Sequence, residues 1–207
     1  MTTLTRGLAA LAAAGVLVLT GCTSTTQNLP PEPRATVESH ADFMVFDLAG
    51  IIESSAVIAT VRVTSASSVL WSSKGDVTDQ FNFDGLTSDE IVALVDENDL
   101  TAGTLVRAKV SEVFQGQLKP GDEIEIFQHG VGSFGIVDYV SPEDQPPLAV
   151  DAEFLVFLTD TEPRFLLNQG GGAFDVSDGV FVARTNAAPV ARITQDELVA
   201  AIAKFGG

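Results

Sequence analysis

Apolar positions recur along the chain with two different periods, and the changes of period outline its elements. Residues 8–19 are a continuous apolar run of leucine, alanine and valine interrupted only by Gly15. The run is shorter than the ~20 residues a helix needs to cross the hydrocarbon core. Residues 23–39 show no period at all. They are small and polar, with Pro30, Pro31 and Pro33, the composition of an extended spacer. From Ala41 to Ser55, Phe43, Phe46 and Ile51 fall near one stripe and predict a helix. The period then drops to two. Val57, Ala59, Val61 and Val63 alternate with Ile58, Thr60, Arg62 and Thr64, which predicts a strand. Val69-Leu70-Trp71 reads as a second, short strand, followed by a turn at Lys74-Gly75-Asp76. Thr87-Ser88-Asp89-Glu90 is a capping box ahead of Ile91–Val95 and predicts a helix from about Ser88 to Glu97.

The second half is mainly strand. Val106, Ala108 and Val110 alternate with Arg107, Lys109 and Ser111 over a predicted strand from Thr104 to Phe114. Pro120-Gly121 fits the central positions of a type II turn, and Glu123–Gln128 returns with Ile124 and Ile126 inward. The nearly unbroken apolar run from Glu153 to Thr159 predicts a strand buried on both faces. Phe165–Leu167 is a short β segment. Asp178-Gly179 predicts a hairpin turn between two further strands, 173–176 and 180–183. Thr194-Gln195-Asp196-Glu197 is a second capping box, opening a final helix with Leu198, Ile202 and Phe205 on its apolar face. Five to seven short antiparallel strands between terminal helices predict a mainly β domain over residues 41–207. A small closed or partly closed barrel removes the edges of such strands, and a β-sandwich is the alternative.

The segment His129–Pro147 has no clear period. At nineteen residues it exceeds the ~12–15 beyond which structureless loops are uncommon and usually functional or disordered. It carries Val131, Phe134, Ile136 and Tyr139 among glycines. Phe134 and Tyr139 are therefore the candidate residues of a binding loop. The alternative is that Phe134 to Val140 forms one more strand that completes the barrel.

Charge and cysteine usage narrow the function. The formal net charge is -17, and no basic footprint for nucleic acid is present. Cys22 is the only cysteine, which excludes an internal disulfide framework, a CxxC redox pair and a multi-cysteine zinc site. Arg6, the only charge before Cys22, together with the apolar run, has the layout of a secretory signal. The run ends in Leu19-Thr20-Gly21-Cys22, which resembles the bacterial lipobox. That resemblance implies cleavage after Gly21 and a diacylglyceryl thioether on Cys22. It also implies a lipid-anchored protein on the extracytoplasmic face of the cell membrane. The expected organisation is a lipoprotein signal over residues 1–21, an anchored tether over 22–40 and one domain over 41–207. An ordinary signal peptide with an incidental cysteine is the alternative.

Three further stretches resemble a loose family of exported, actinobacterial-like small β-barrel proteins of uncharacterised function. They are Ser55–Val61, Val110–Gly116 with Leu118–Asp122, and Pro147–Leu158. The resemblance implies an oligonucleotide-binding-type barrel without implying nucleic acid, and transfers no catalytic residue. Asp151-Ala152 stands where that family commonly has glycine.

No catalytic signature emerges from the remaining residues. There is no GxSxG elbow, and Gly130-Val131-Gly132-Ser133-Phe134-Gly135 lacks the Lys-Ser/Thr of a P-loop. His40 and His129 have no partner at ligand spacing, and Asp96-Glu97-Asn98-Asp99 reads as a solvated helix end. No cofactor or metal is expected. The expected function is a non-catalytic envelope module that binds a protein or a small ligand. The alternatives are an envelope enzyme or inhibitor-like module, and a purely structural lipoprotein.

Overall fold

The computed structural model describes residues 34–38, 46–140, 146–167 and 171–206. The signal, Cys22 and the tether as far as residue 33 lie outside them, as does His40. The elements run β1 (Ala35–Glu38), α1 (Leu48–Ser54), β2 (Val57–Ser72), β3 (Gly75–Asp76), α2 (Ser88–Glu97), β4 (Thr101–Gln115) and β5 (Glu123–His129). They continue with β6 (Gly132–Phe134), β7 (Val137–Val140), β8 (Glu153–Leu158), β9 (Arg164–Phe165), β10 (Ala173–Ser177), β11 (Val180–Ala183), β12 (Arg192–Thr194) and α3 (Gln195–Phe205).

The spine is the antiparallel pair β2–β4, in register from Ile58↔Gln115 to Trp71↔Thr101. Sequence periodicity predicts two strands in the stretch that β2 fills alone. Ser65–Ser68 break the apolar alternation, but register shifts between Val63 and Ser65 carry the pairing across them. The Pro120-Gly121 turn forms as its chemistry requires. Gly121 has a positive φ of 97°, and the Asp122 N–H donates to the Lys119 carbonyl at 3.1 Å.

The fold is not the closed barrel that the strand pattern predicts, nor a sandwich. One large sheet follows the path β12-β11-β10-β8-β2-β4-β5-β9, with β3 beside β2, and its outer strands do not meet. It is a strongly curled half-barrel of eight strands in a mixed α/β fold, accompanied by a separate sheet of order β1-β7-β6. Closure is one answer to exposed edges; very short edge strands are another. Here the edges are β9, two residues long, and β12, three residues long.

Both faces of the spine's first half are covered. On one face Val57, Ala59, Val61 and Val63 pack with Val106, Ala108, Val110, Ile126, Phe154 and Val156. Among the described residues no helix covers this cluster; the strands pack on one another, as they do inside a curled sheet. On the other face Ile58, Leu155 and Phe157 meet Phe174, Phe181, α1 through Ile51 and Ile52, and α3 through Leu198. Strand β8 thus alternates between two cores, as its continuous apolar run predicts. A third cluster lies at the far end of the spine. Leu70 and Ala102 pack there with Ile91 and Val95 of α2 and with Phe134, Val137 and Tyr139 of the β6–β7 hairpin.

Two expectations are corrected at this far end. Ala35–Glu38, assigned to the tether by composition, form β1, and Ala35 and Val37 pack against the third cluster. The segment after His129 is a hairpin from Gly132 to Val140, not an exposed loop. The hairpin joins β1 rather than the large sheet, so it does not complete a barrel.

Candidate functional site

Phe134 and Tyr139 are not surface aromatics. Their relative exposures are 3% and 7%, and their rings meet edge to face with centroids 5.9 Å apart. In β7, Val137 and Tyr139 point into the cluster while Asp138 points out. Strand alternation alone produces this. Phe134 also packs against Phe83, with ring centroids 5.6 Å apart.

Tyr139 differs from Phe134 by one atom, and that atom has no partner. Its hydroxyl is buried and makes no hydrogen bond among the described residues. Leaving a buried hydroxyl unsatisfied costs about 1–3 kcal/mol. Tyr139 lines a cavity of about 390 Å3 together with Glu38, Asp96, Leu100, Thr101 and His129, with Val37, Val92, Val95 and Ala102 as the remaining wall. Burial, and secondarily the charge of Asp96, push the Tyr139 phenol above its ordinary value.

Each wall follows from local sequence. β1 pairs in parallel with β7, Val37 opposite Tyr139 and Glu38 opposite Val140. Arg34 fixes this pairing from outside, its Nε and Nη2 donating to the two Asp138 carboxylate oxygens at 2.7 Å each. The Thr87–Glu90 capping box opens α2 as predicted. The end of α2 is more elaborate than a solvated helix end. Asp99 takes the left-handed conformation at φ 52°, the Leu100 N–H donates to Val95 O at 3.0 Å, and the Asp99 N–H donates to Asp96 O at 3.2 Å. That is a Schellman motif, which brings its two apolar ends, Val95 and Leu100, onto one surface. It therefore sets Asp96 and Leu100 on the cavity wall. His129 closes the wall from the end of β5, its ring edge-on to Phe127 at 6.3 Å. Burial lowers the His129 pKa, so the imidazole is neutral at pH 7. Among the described residues no lysine or arginine lines the cavity.

A second cavity, of about 450 Å3, lies at the opposite end of the spine beside Ser55, Gln115, Asp160 and Arg164. Its polar groups are mostly engaged. Gln115 Nε2 donates to Ser55 O at 2.7 Å, Arg164 Nη1 donates to Thr159 O at 3.0 Å, and Arg164 Nη2 lies 3.2 Å from Glu162. Gln115 Oε1 and Arg164 Nε are buried without partners, but each side chain is held by its other atoms. Tyr139 has no second polar atom to be held by.

Among the described residues no group of three or more His, Cys, Asp or Glu side chains gathers to hold a metal ion. The Tyr139 cavity therefore offers hydrogen-bond acceptors, one orphaned hydroxyl and apolar walls. Sequence reasoning singles out Tyr139 for exposure, whereas its geometry makes it interesting for burial. Glu38 and Asp96 were not candidates. Their only signal is Asn98-Asp99, a pair suited to a left-handed helix end. Compared with family models, curated proteins and solved structures, the chain matches none.

Proposed function

We propose that this chain is a lipoprotein anchored through Cys22 on the extracytoplasmic face of the cell membrane, where its domain acts as a non-catalytic module that binds a small ligand in the Tyr139 cavity. The anchor rests on the lipobox and the apolar run before it. Two acyl chains hold a protein at a bilayer where one is marginal. Among the described residues no helix is long and apolar enough to cross a membrane. The binding reading rests on one observation above the others: a buried tyrosine hydroxyl, unpartnered, beside an open cavity. Buried polar groups are hydrogen-bonded in the great majority of cases, so an exception marks a place where a partner belongs. A cavity of this volume falls within the range of small-molecule sites.

Two variants test the two halves. Cys22→Ser should leave the membrane fraction and lose its lipid mass; a variant that still sediments with membranes overturns the anchor. Tyr139→Phe removes the orphaned hydroxyl and leaves the ring. It should raise unfolding stability by about 1 kcal/mol. Native mass spectrometry of the chain isolated from its membrane should find a small-molecule adduct on the wild type and none on the variant. Lower stability in Tyr139→Phe, with the adduct unchanged, gives the hydroxyl a structural role and removes the cavity as a site.

A further inference from the structure

The strand nearest the anchor is held more lightly than the sheet it joins, and we infer that β1 is a releasable clasp that gives the anchored domain two reaches, a short one docked and a long one released. The inference rests on the anchor at Cys22 and is independent of the Tyr139 cavity. Three observations carry it. β1 is four residues long and, among the described residues, pairs along one edge only, with β7. Its apolar side chains, Ala35 and Val37, are only partly buried against the third cluster. The ion pair that closes it, Arg34 to Asp138, is open to solvent, with 46% and 32% of the two side chains exposed. Exposed pairs of this kind hold weakly and are screened by salt.

β7 does not share that weakness. Its other edge pairs with β6, from Gly132↔Tyr139 to Phe134↔Val137. Phe134, Val137 and Tyr139 are buried with Leu70, Ile91 and Val95. The Ser133 N–H donates to Ser68 Oγ of the spine at 2.8 Å. The hairpin therefore keeps a paired edge, a buried face and a tie to β2 when β1 leaves. Release breaks one four-residue ladder, and elements with few buried apolar contacts open locally without global unfolding.

Position in the chain turns this local event into a change of reach. β1 lies between Cys22 and α1, in series with the anchor. Docked, the domain is held from Arg34. Released, it is held from Asp47, the N-cap of α1. At about 3.5 Å per residue, the longest span from Cys22 rises from about 40 Å to about 85 Å. Arg34 is the only lysine or arginine between Cys22 and Arg62, so no neighbouring cation replaces it in the clasp.

The test uses the full lipidated chain and two double variants. Arg34→Ala, Ala35→Pro opens the clasp: it removes the ion pair and the N–H that Ala35 donates to Ile136 O at 2.8 Å. Thr36→Cys, Asp138→Cys locks it: the two positions are register partners, and adjacent strands about 4.8 Å apart lie within a disulfide's span. By hydrogen exchange, wild-type Ala35–Glu38 should exchange at least about tenfold faster than Val137–Tyr139, and the bridge should slow them to the hairpin's rate until it is reduced. By neutron reflectometry on a supported bilayer, the open domain should stand about 10 Å farther from the membrane than the bridged one. If β1 and the hairpin exchange at one rate, β1 is an integral strand and the clasp is overturned. If β1 exchanges faster but the open and bridged domains stand at one height, the two reaches are overturned. A thermal melt checks that the open variant folds; if it does not, the bridged chain before and after reduction supplies the same comparison of heights. A chain that never joins the bilayer overturns the anchor and the two reaches with it, and the exchange rates distinguish that failure from a strand that does not open.

Discussion

The two ends of the β2–β4 spine are built to different specifications. At the end running from Val57 to Val63, apolar side chains are buried on both faces of the sheet, one face by neighbouring strands and the other by α1 and α3. The cavity at that end is bordered by side chains already committed to backbone carbonyls and carboxylates. At the other end, around Leu70 and Ala102, cover comes from one ten-residue helix and a three-stranded sheet, and a buried hydroxyl is left without a partner. The first arrangement also leaves Gln115 Oε1 and Arg164 Nε without partners, but on side chains that other hydrogen bonds hold. The second holds a polar atom out of water with nothing to bind it, a cost that a stabilising role alone does not explain.

The contrast can be broken from either side. The largest effect belongs to the doubly covered end. Phe157 is fully buried and faces Phe174 with ring centroids 5.9 Å apart. Phe157→Ala should cost about 3–5 kcal/mol in chemical denaturation. A cost below about 1 kcal/mol would show that this end is loosely packed and that the comparison fails. Gly103→Ala probes the far end and should cost about 1–3 kcal/mol. A Cβ on Gly103 would collide with the Phe127 ring and sit 2.8 Å from the Gln128 carbonyl oxygen. Because Phe127 backs His129, this variant should also weaken any ligand bound in the Tyr139 cavity.

The smallest effect concerns the pairing of β1. Hydrogen bonds from Arg34 and then from Ser133 hold the Asp138 carboxyl below the usual carboxylate range. A carboxyl whose pKa is lowered on folding stabilises the folded state above its unfolded pKa of about 3.9. That contribution is lost as the pH falls through the lower, folded value. Both side chains are partly exposed, so Asp138→Asn should cost at most about 1 kcal/mol at neutral pH. The gap between variant and wild type should begin to narrow below about pH 4 and close only once the pH is below the lower, folded value. A gap independent of pH would mean that the ion pair contributes nothing.

What the sequence made legible was local. Both capping boxes, the Pro120-Gly121 turn, the Asp178-Gly179 hairpin and the doubly buried 154–158 strand each depend on residues within a few positions of one another, and each stands where its chemistry predicts. What it hid was pairing at a distance. Ala35-Thr36-Val37-Glu38 alternate as a strand should, but four residues beside a proline-rich stretch read as spacer until Val137–Val140, a hundred positions later, is placed beside them. Openness was hidden for the same reason, since no short-range signal says whether the outer strands of a sheet meet. At the site, Val137 and Tyr139 alternate with Asp138, a period of two that argues for burial. The glycines on either side, Gly130, Gly132 and Gly135, are the composition of a loop and mask that period.

The parallel pairing of β1 has a mechanical consequence. The chain before Ala35 reaches the domain through this strand. A pull along its axis loads the Ala35–Glu38 pairings with β7 together, in shear, rather than opening them one after another. The strand under load also carries Val37 and Glu38, two walls of the cavity. For a domain held at a surface by its N-terminal end, tension would reach the Tyr139 cavity before it reached the large sheet.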